Sequence, residues 1–313
     1  MSACTSSLRS QWRLFILMTC VSLLALQGCA RIAVREPTSA HGEAPNAIRT
    51  LGPDQRFSTL SSQRVAQRLR GLRAGEPLSI LALSGGGAGG AFGAGAPVGL
   101  TRSASRPQFS VVTGVGAGAL IAPYAFLGPA WDEQLVEIYT SGRAEHVLQS
   151  RRLGAIFGPG VYRGEPLKEL VDRYATDELI QAVANEASAG RLLLVATTDV
   201  RTGKPVVWDL GSIAMNGGSG AQALFRDVLV ASASVPGLFP PVAIRVEEDQ
   251  VLFDEVHVDA TTTVPFLVPL AFVEWSPNAG DRLHSAAVYV ILDERLVEAH
   301  DIGTLQFLSS TRR

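Results

Sequence analysis

The chain has 313 residues, of which 47% are hydrophobic and 18% charged, with a formal net charge of −2. This length and composition suit one large domain with its own core and exclude a disordered chain. The charge is nearly balanced and no run of Lys or Arg occurs, so we expect no nucleic-acid partner. The chain has three cysteines, two of them within the first twenty residues, and these cannot supply a disulfide framework.

The N-terminal residues 1–29 have the pattern of a signal peptide. Two arginines precede a mostly apolar stretch over 14–26, which is too short to cross a membrane comfortably. The sequence Leu26-Gln-Gly-Cys29 that follows is similar to the lipobox of bacterial lipoproteins, in which the cysteine carries the lipid. We therefore expect export and anchoring to a bacterial membrane through Cys29, and Ala30 favours the outer membrane. The alternative is an ordinary signal peptide in which Cys29 is incidental.

Residues 30–57 are polar and contain three prolines, which predicts a tether between the anchor and a domain over 58–313. A surface helix is predicted over 62–73, and short apolar runs then alternate with helical patterns. Strands are predicted at 78–83, 109–113, 192–196, 206–208, 251–258 and 286–292. Helices are predicted at 91–100, 117–127, 132–139, 166–174 and 177–188. A further helix is predicted to begin at a capping box formed by Ser219 and Gln222. This alternation predicts an α/β fold with a mainly parallel sheet covered on both faces.

A first glycine-rich loop follows the strand predicted at 78–83. Gly85, Gly87 and Gly90 fit the G-x-G-x-x-G pattern of a dinucleotide-binding turn, but residues 77–131 contain no acidic residue to hold a ribose. A phosphate-binding P-loop would need a lysine, and none precedes Lys168. Two interpretations remain, an oxyanion hole built from backbone N–H groups and a tight strand-to-helix turn without chemistry.

A second glycine-rich loop, Gly114-Val-Gly116-Ala-Gly118, has the spacing of a nucleophile elbow, G-x-S-x-G. Gly116 stands at the nucleophile position and has no oxygen that could attack a substrate. No other G-x-S-x-G occurs in the chain, so the sequence has the frame of a serine hydrolase without its serine.

Four blocks in order resemble the patatin-like phospholipases: the glycine block over 84–95, the elbow and following helix over 111–121, the segment over 230–241, and His257-Val-Asp259-Ala260. The last block is similar to the family's Asp-Gly-Gly or Asp-Gly-Ala. With the predicted strands at either end, the region that contains the blocks spans 78–292.

The resemblance implies a three-layer α/β/α domain and acyl-ester hydrolysis by a Ser–Asp dyad without histidine. It places Asp259 at the base position, the nucleophile at Gly116, and an oxyanion hole at Gly85, Gly86 and Gly87. The alternative for Asp259 is a structural role, in which its carboxylate hydrogen-bonds local backbone and stabilises a turn. It implies membrane lipids or acyl esters as ligands, and no cofactor or metal.

Three departures from the family pattern bear on activity. Gly116 replaces the serine, Ala260 replaces the glycine after the aspartate, and the chain ends at Arg313 soon after the last predicted strand, so we expect a shortened C-terminus. We therefore expect impaired catalysis. A non-catalytic protein that binds a lipid or a partner, and a degenerate copy without function, both stay open. We further expect the Gly116 Cα to lie about 5–7 Å from the Asp259 carboxylate, and a serine at 116 to fit if the elbow keeps the family's geometry.

Overall fold

The computed structural model describes residues 48–51, 57–60, 78–86, 90–142, 147, 164–248, 251–268 and 286–292. All of these belong to one compact unit, Glu43–Arg313. The predicted signal peptide with Cys29, the helix predicted over 62–73, and Gly87 of the glycine block lie outside the described residues. Nowhere in the described part of the chain is a helix both long and apolar enough to cross a membrane.

The described strands form one mixed sheet. They are β1 (Ile48–Leu51), β2 (Phe57–Leu60), β3 (Ser79–Leu83), β4 (Val111–Val115), β5 (Leu192–Asp199), β6 (Lys204–Asp209), β7 (Val242–Glu248), β8 (Val251–Asp259) and β9 (Ala287–Ile291). The order is β2-β1-β6-β5-β4-β3-β9, and β8 pairs with both β5 and β7. The neighbouring strands β9, β3, β4 and β5 are parallel to one another, and β6 and β8 run antiparallel to β5. The predicted α/β fold class is thus confirmed.

One feature of the sheet positions the site: β4 and β8 share the same side of β5. Strand β4 pairs with β5 as far as Val115 opposite Ala196, and β8 pairs with β5 from Asp259 opposite Thr197. The carboxyl end of β4 and the carboxyl end of β8 therefore meet along β5. This register brings Asp259 next to Gly116, the residue that follows β4.

The described helices are α1 (Gly90–Arg102), α2 (Ala117–Leu127), α3 (Asp132–Thr140), α4 (Glu165–Tyr174), α5 (Asp177–Ser188), α6 (Leu210–Asn216) and α7 (Gly218–Ala233). Local capping explains two of the starts. The Thr176 hydroxyl accepts from the N–H of Leu179 at the start of α5, and the Asp209 carboxylate accepts from the N–H of Ser212 at the start of α6.

The core lies on both faces of the central strands. The buried side chains of the seven helices form one apolar cluster with Leu81, Val112 and Val195 on one face of the sheet. On the opposite face, Ile80 and Leu194 belong to a second buried cluster. Alternate residues of the same strands are thus buried on opposite faces, as a covered parallel sheet requires.

Several boundaries differ from those predicted. β1 and the first residue of β2 fall within 30–57, the predicted tether, so the sheet begins earlier in the chain than expected. Helix α7 begins after Gly217, which has no side-chain cap, so the capping box predicted at Ser219 is wrong. Strand β7 and the seven-residue α6 were not predicted. The alternation of Val242, Ile244 and Val246 with Arg245 and Glu247 was an available signal for β7, whereas α6 is too short for helical periodicity.

Candidate active site

The turn between β4 and α2 consists of Gly116 alone. Strand β4 ends at Val115, α2 begins at Ala117, and Gly116 caps the helix with φ 58° and ψ −128°. A positive φ of this kind strains any residue with a side chain. A sharp, strained strand-to-helix turn is also where nucleophile elbows hold their serine.

Gly114 and Gly118, which we predicted as the elbow glycines, lie where backbones pack closely. A Cβ at Gly114 would lie 2.7 Å from the Cα of Ala119, and a Cβ at Gly118 would lie 2.6 Å from the carbonyl oxygens of Leu83 and Ser84. The absence of side chains lets α2 start directly against β4 and the end of β3.

Two serines at the end of α7 hold the elbow and the aspartate strand together. The Gly116 N–H donates to the Ser232 hydroxyl at 3.2 Å, and that hydroxyl donates to the Ala196 carbonyl of β5 at 2.7 Å. The Asp259 N–H donates to the Ser234 carbonyl at 2.9 Å. The segment over 230–241 therefore fixes the elbow relative to Asp259.

Asp259 ends β8 with only 4% of its surface exposed. A Cβ built on Gly116 would lie 3.0 Å from its Oδ2 atom. Because that Cβ is one carbon–carbon bond of about 1.5 Å from Cα, the Cα of Gly116 lies within about 4.5 Å of Oδ2. The separation of about 5–7 Å expected from a serine–base pair is therefore wrong. Without a serine side chain, the two groups lie closer together.

Thr261 is the side chain that fills this space. Its Oγ1 atom lies 2.7 Å from where a Cβ of Gly116 would be, and a Cβ on Gly85 would collide with the same atom. The hydroxyl donates to Oδ1 of Asp259 at 2.6 Å, and the Thr261 N–H donates to the same oxygen at 2.7 Å. A serine at 116 would meet Thr261, so our expectation that it fits in the native site is wrong.

The loop that carries Thr261 crosses the carboxyl ends of the central strands. The N–H groups of Thr263 and Val264 both donate to the Ala260 carbonyl, which closes the turn. Further along, the Pro265 carbonyl accepts from the N–H of Gly85 at 3.4 Å. The Leu267 carbonyl accepts from the Thr113 hydroxyl at 2.5 Å. These bonds hold the Thr261 side chain over the end of the sheet.

The described part of the glycine block lies against the elbow. The Cα of Gly85 is 2.9 Å from the position of a Cβ on Gly116, and Gly86 follows directly. Gly85 is thus next to Gly116, as predicted, although its N–H already has the Pro265 carbonyl as a partner. The third glycine of the block, Gly87, lies outside the described residues.

His257 is buried two residues before Asp259, and both of its ring nitrogens have partners. Nδ1 lies 3.0 Å from the Thr197 hydroxyl, and Nε2 lies 3.1 Å from Oε2 of Glu255. The ring of Trp208 packs edge-on against it. These contacts give His257 a structural place in the sheet. Within the described ranges, no group of three or more His, Cys, Asp and Glu residues is placed to hold a metal ion.

The fold and the site together describe an α/β protein with a glycine-rich loop packed against a nucleophile-type elbow. The sequence model of the patatin-like phospholipases matches residues 81–269. This match covers more than half of the chain, which therefore belongs to the patatin-like phospholipase family.

No curated protein matches the chain. Among solved structures, the chain is similar to VipD from Legionella pneumophila, with 11% identity and a TM-score of 0.41 over 71% of this chain and 50% of that one. The chain thus spans about half the length of that protein.

Sequence reasoning missed Thr261. The family block quoted above has glycine or alanine at the position of Thr261, so a bulkier polar residue there was the available signal. The sequence alone could not show that this side chain points at the elbow, because Gly116 is 145 positions away from it along the chain.

Proposed function

We propose that this protein is a membrane-tethered patatin-like protein that holds membrane lipids or acyl esters and has lost the serine-dependent hydrolysis of its family. The observation that carries the proposal is the presence of Gly116 at the turn from β4 to α2, where the Cβ of any other residue would lie 3.0 Å from Oδ2 of Asp259.

The loss of hydrolysis follows from the chemistry of position 116. Glycine has no oxygen, and removal of the nucleophile from a serine hydrolase costs about 10⁶ in turnover. The remaining parts of such a site can still leave about 10³–10⁴ over the reaction in water. We therefore expect ester hydrolysis far below that of an intact member of the family.

Support for a ligand of this class comes from what the site keeps. Asp259 is buried at the end of β8, Gly85 is packed against the elbow, and Ser232 fixes the Gly116 N–H. Family membership makes acyl esters and phospholipids the ligands expected at this place in the fold.

The test combines binding and turnover on the purified, folded protein. We expect saturable binding of pyrene-labelled phosphatidylcholine, displaced by unlabelled phosphatidylcholine but not by phosphocholine, which lacks acyl chains. We expect turnover of p-nitrophenyl butyrate at least about 10³-fold below that of a variant combining Gly116→Ser with Thr261→Ala.

Two results would contradict the proposal. A folded protein without saturable binding would argue against a lipid or acyl-ester ligand and for a degenerate copy. Turnover by the parent equal to that of the serine-containing variant would show that catalysis is not impaired.

A further inference from the structure

We propose that the Thr261 hydroxyl takes the place of the missing serine hydroxyl and acts as the nucleophile in a slow acyl transfer from esters, with Asp259 as its base. This inference rests on the proposed function, because it requires that an acyl ester binds at this site.

The first observation is the position of the hydroxyl. Oγ1 of Thr261 lies 2.7 Å from where the Cβ of residue 116 would be, and a Cβ on Gly85 would collide with it. Only the absence of side chains at both positions leaves room for this oxygen. The hydroxyl therefore lies between the glycine block and the elbow, where a serine at 116 would project.

The second observation is the partner of the hydroxyl. The distance from Oγ1 to Oδ1 of Asp259 is 2.6 Å, within the range of about 2.6–3.2 Å that a nucleophile and its base require. Asp259 is almost fully buried, whereas Thr261 is only half-buried. A proton acceptor is thus held inside the protein, within hydrogen-bond distance of a hydroxyl that belongs to a half-buried residue.

Three serine hydroxyls near the site donate to backbone carbonyl oxygens. The Ser84 hydroxyl donates to the Gly85 carbonyl, and that of Ser232 donates to the Ala196 carbonyl. The Ser234 hydroxyl donates to a carbonyl of its own helix. A carbonyl oxygen cannot accept a proton at neutral pH, so none of these three hydrogen bonds activates a hydroxyl in the way open to Thr261.

The turn around Thr261 also fixes its geometry. The Thr261 N–H donates to the same Asp259 oxygen as its hydroxyl, at 2.7 Å. The Thr263 hydroxyl lies 2.7 Å from that of Thr198 on β5, which ties the turn to the sheet. A nucleophile held in this way loses little conformational freedom when a substrate binds.

The reaction balances with water as the second reactant. Oγ1 of Thr261 adds to the ester carbonyl carbon while its proton passes to Oδ1 of Asp259. The bond from that carbon to the alkoxy oxygen then breaks, and the alcohol leaves with the proton from Asp259. Water attacks the acyl–threonine ester, Asp259 takes its proton and returns it to Oγ1, and the carboxylic acid leaves.

The test is covalent labelling and turnover, measured on the parent and on variants of the same turn. We expect p-nitrophenyl butyrate to leave a butyryl group on Thr261, found by mass spectrometry of the intact protein and its peptides. Thr261→Val, which keeps the shape but removes the hydroxyl, should lose the adduct and lower turnover by about 10²-fold or more. Asp259→Asn should do the same, whereas Thr261→Ser, which keeps an attacking hydroxyl, should still form the adduct.

The neighbouring exposed Thr262 supplies the matched control, since Thr262→Val should change neither readout. An adduct on another residue, or unchanged turnover in Thr261→Val, would overturn the inference. Saturable lipid binding without any adduct would also overturn the inference that Thr261 is a nucleophile. The proposed function would then still stand, and the Thr261 hydroxyl would have a purely structural role. Absence of lipid binding by the folded parent would instead mean that the proposed function itself has failed.

Discussion

Position 116 and position 261 complement each other in space. Gly116 has a φ of 58° and no side chain, and the Thr261 hydroxyl occupies the volume that a side chain there would need. The family pattern has the opposite arrangement, with a serine at the elbow and a glycine or alanine two residues after the aspartate. The hydroxyl near Asp259 is therefore present in this protein, but it comes from the other side of the site.

This arrangement predicts that repair of the serine needs two substitutions. Gly116→Ser alone would place a Cβ 2.7 Å from Oγ1 of Thr261 and 3.0 Å from Oδ2 of Asp259, so we expect destabilisation and no serine-dependent turnover. With Thr261→Ala added, the remaining close contacts are the Cα of Gly85 at 2.9 Å and Oδ2 of Asp259 at 3.0 Å. Strain at the positive φ then costs about 1–3 kcal/mol. We expect the double variant to hydrolyse p-nitrophenyl butyrate faster than the parent, in a steady-state assay.

The control for this repair is Gly116→Ala with Thr261→Ala, which has the same backbone strain but no oxygen. It should melt at nearly the same temperature as the double variant and show no gain in turnover. Adding Asp259→Asn to the serine variant should abolish the gain, because the serine would lack its base. A double variant that folds but does not hydrolyse the ester would contradict the prediction. Ala260, which replaces the family's glycine after the aspartate, would then be the next position to test.

A second residue-scale prediction concerns Asp227 on α7. Burial raises the pKa of Asp227 above its ordinary value of 3.8, Asp172 adds to this effect, and Lys168 and Arg226 oppose it. The folded protein therefore holds the proton more tightly than the unfolded chain does. Stability attributable to this group falls as the pH rises from the unfolded pKa through the raised folded one.

Asp227→Asn should remove this pH dependence. The gain in unfolding free energy over the parent should be small at pH values below the ordinary pKa, should grow as the pH rises through the titration of Asp227, and should then level off. Urea denaturation at several pH values measures this difference. Glu133→Gln, an exposed substitution on α3, is the control and should stay within about 0.5 kcal/mol of the parent. A gain that is the same at every pH would contradict the prediction.

At the scale of elements, the sequence predicts helices better than it predicts the site. The bounds predicted for α2 and α5 match the structure, because Gly116 and Gly128 flank α2 and a Thr cap starts α5. The approach of Asp259 to the elbow could not be predicted in this way. It depends on β8 continuing along β5 where β4 stops, which is a long-range register without a local sequence pattern.

Arg191 connects elements that the sequence leaves unrelated. Lying just before β5, it donates to the Phe109 carbonyl ahead of β4 and to the Phe126 carbonyl in the last turn of α2, and it also pairs with Glu186 of α5. Its guanidinium lies 4.2 Å from the centre of the Phe126 ring. Burial lowers the pKa of Arg191, while the bond to Glu186 opposes that effect.

We expect Arg191→Ala to lower the unfolding free energy by about 2–5 kcal/mol, because two buried carbonyls lose their donors. Arg191→Lys should lose an intermediate amount, since one ammonium group cannot reproduce the guanidinium fork. Chemical denaturation measures both. The control is Arg201→Ala, whose side chain is about half exposed and which should cost little. Equal stability of the alanine variant and the parent would show that these carbonyls find other donors.

At the scale of the whole molecule, the fold class could be predicted from the sequence. The occupation of the space beside Gly116 by the Thr261 side chain could not. Alternating strands and helices with short apolar runs are sufficient to predict an α/β sheet, and the matched family agrees with it. In the sequence, Gly116 is evident as the loss of a serine. The position of the Thr261 hydroxyl beside Gly116 could not be predicted, because it depends on how three loops from different strands are placed relative to one another.

The sequence also predicts that lipid on Cys29, which lies outside the residues that the structure describes, anchors the whole protein to a membrane. If Cys29 carries the lipid, the full-length protein should fractionate with membranes of a Gram-negative host and be released by detergent. Cys29→Ser should either block processing or release the processed protein from the membrane, because no acyl chains would remain to hold it.

Cys20→Ser is the matched control for the anchor, since Cys20 lies in the stretch predicted to be removed with the signal peptide. That variant should be processed and should fractionate with membranes like the parent. Mass spectrometry of the mature N-terminus should find lipid on residue 29 in both. If the Cys29→Ser protein is processed and still fractionates with membranes, the anchor is not at Cys29. Attachment would then have to come from the folded domain, whose site for acyl chains would be in contact with the bilayer.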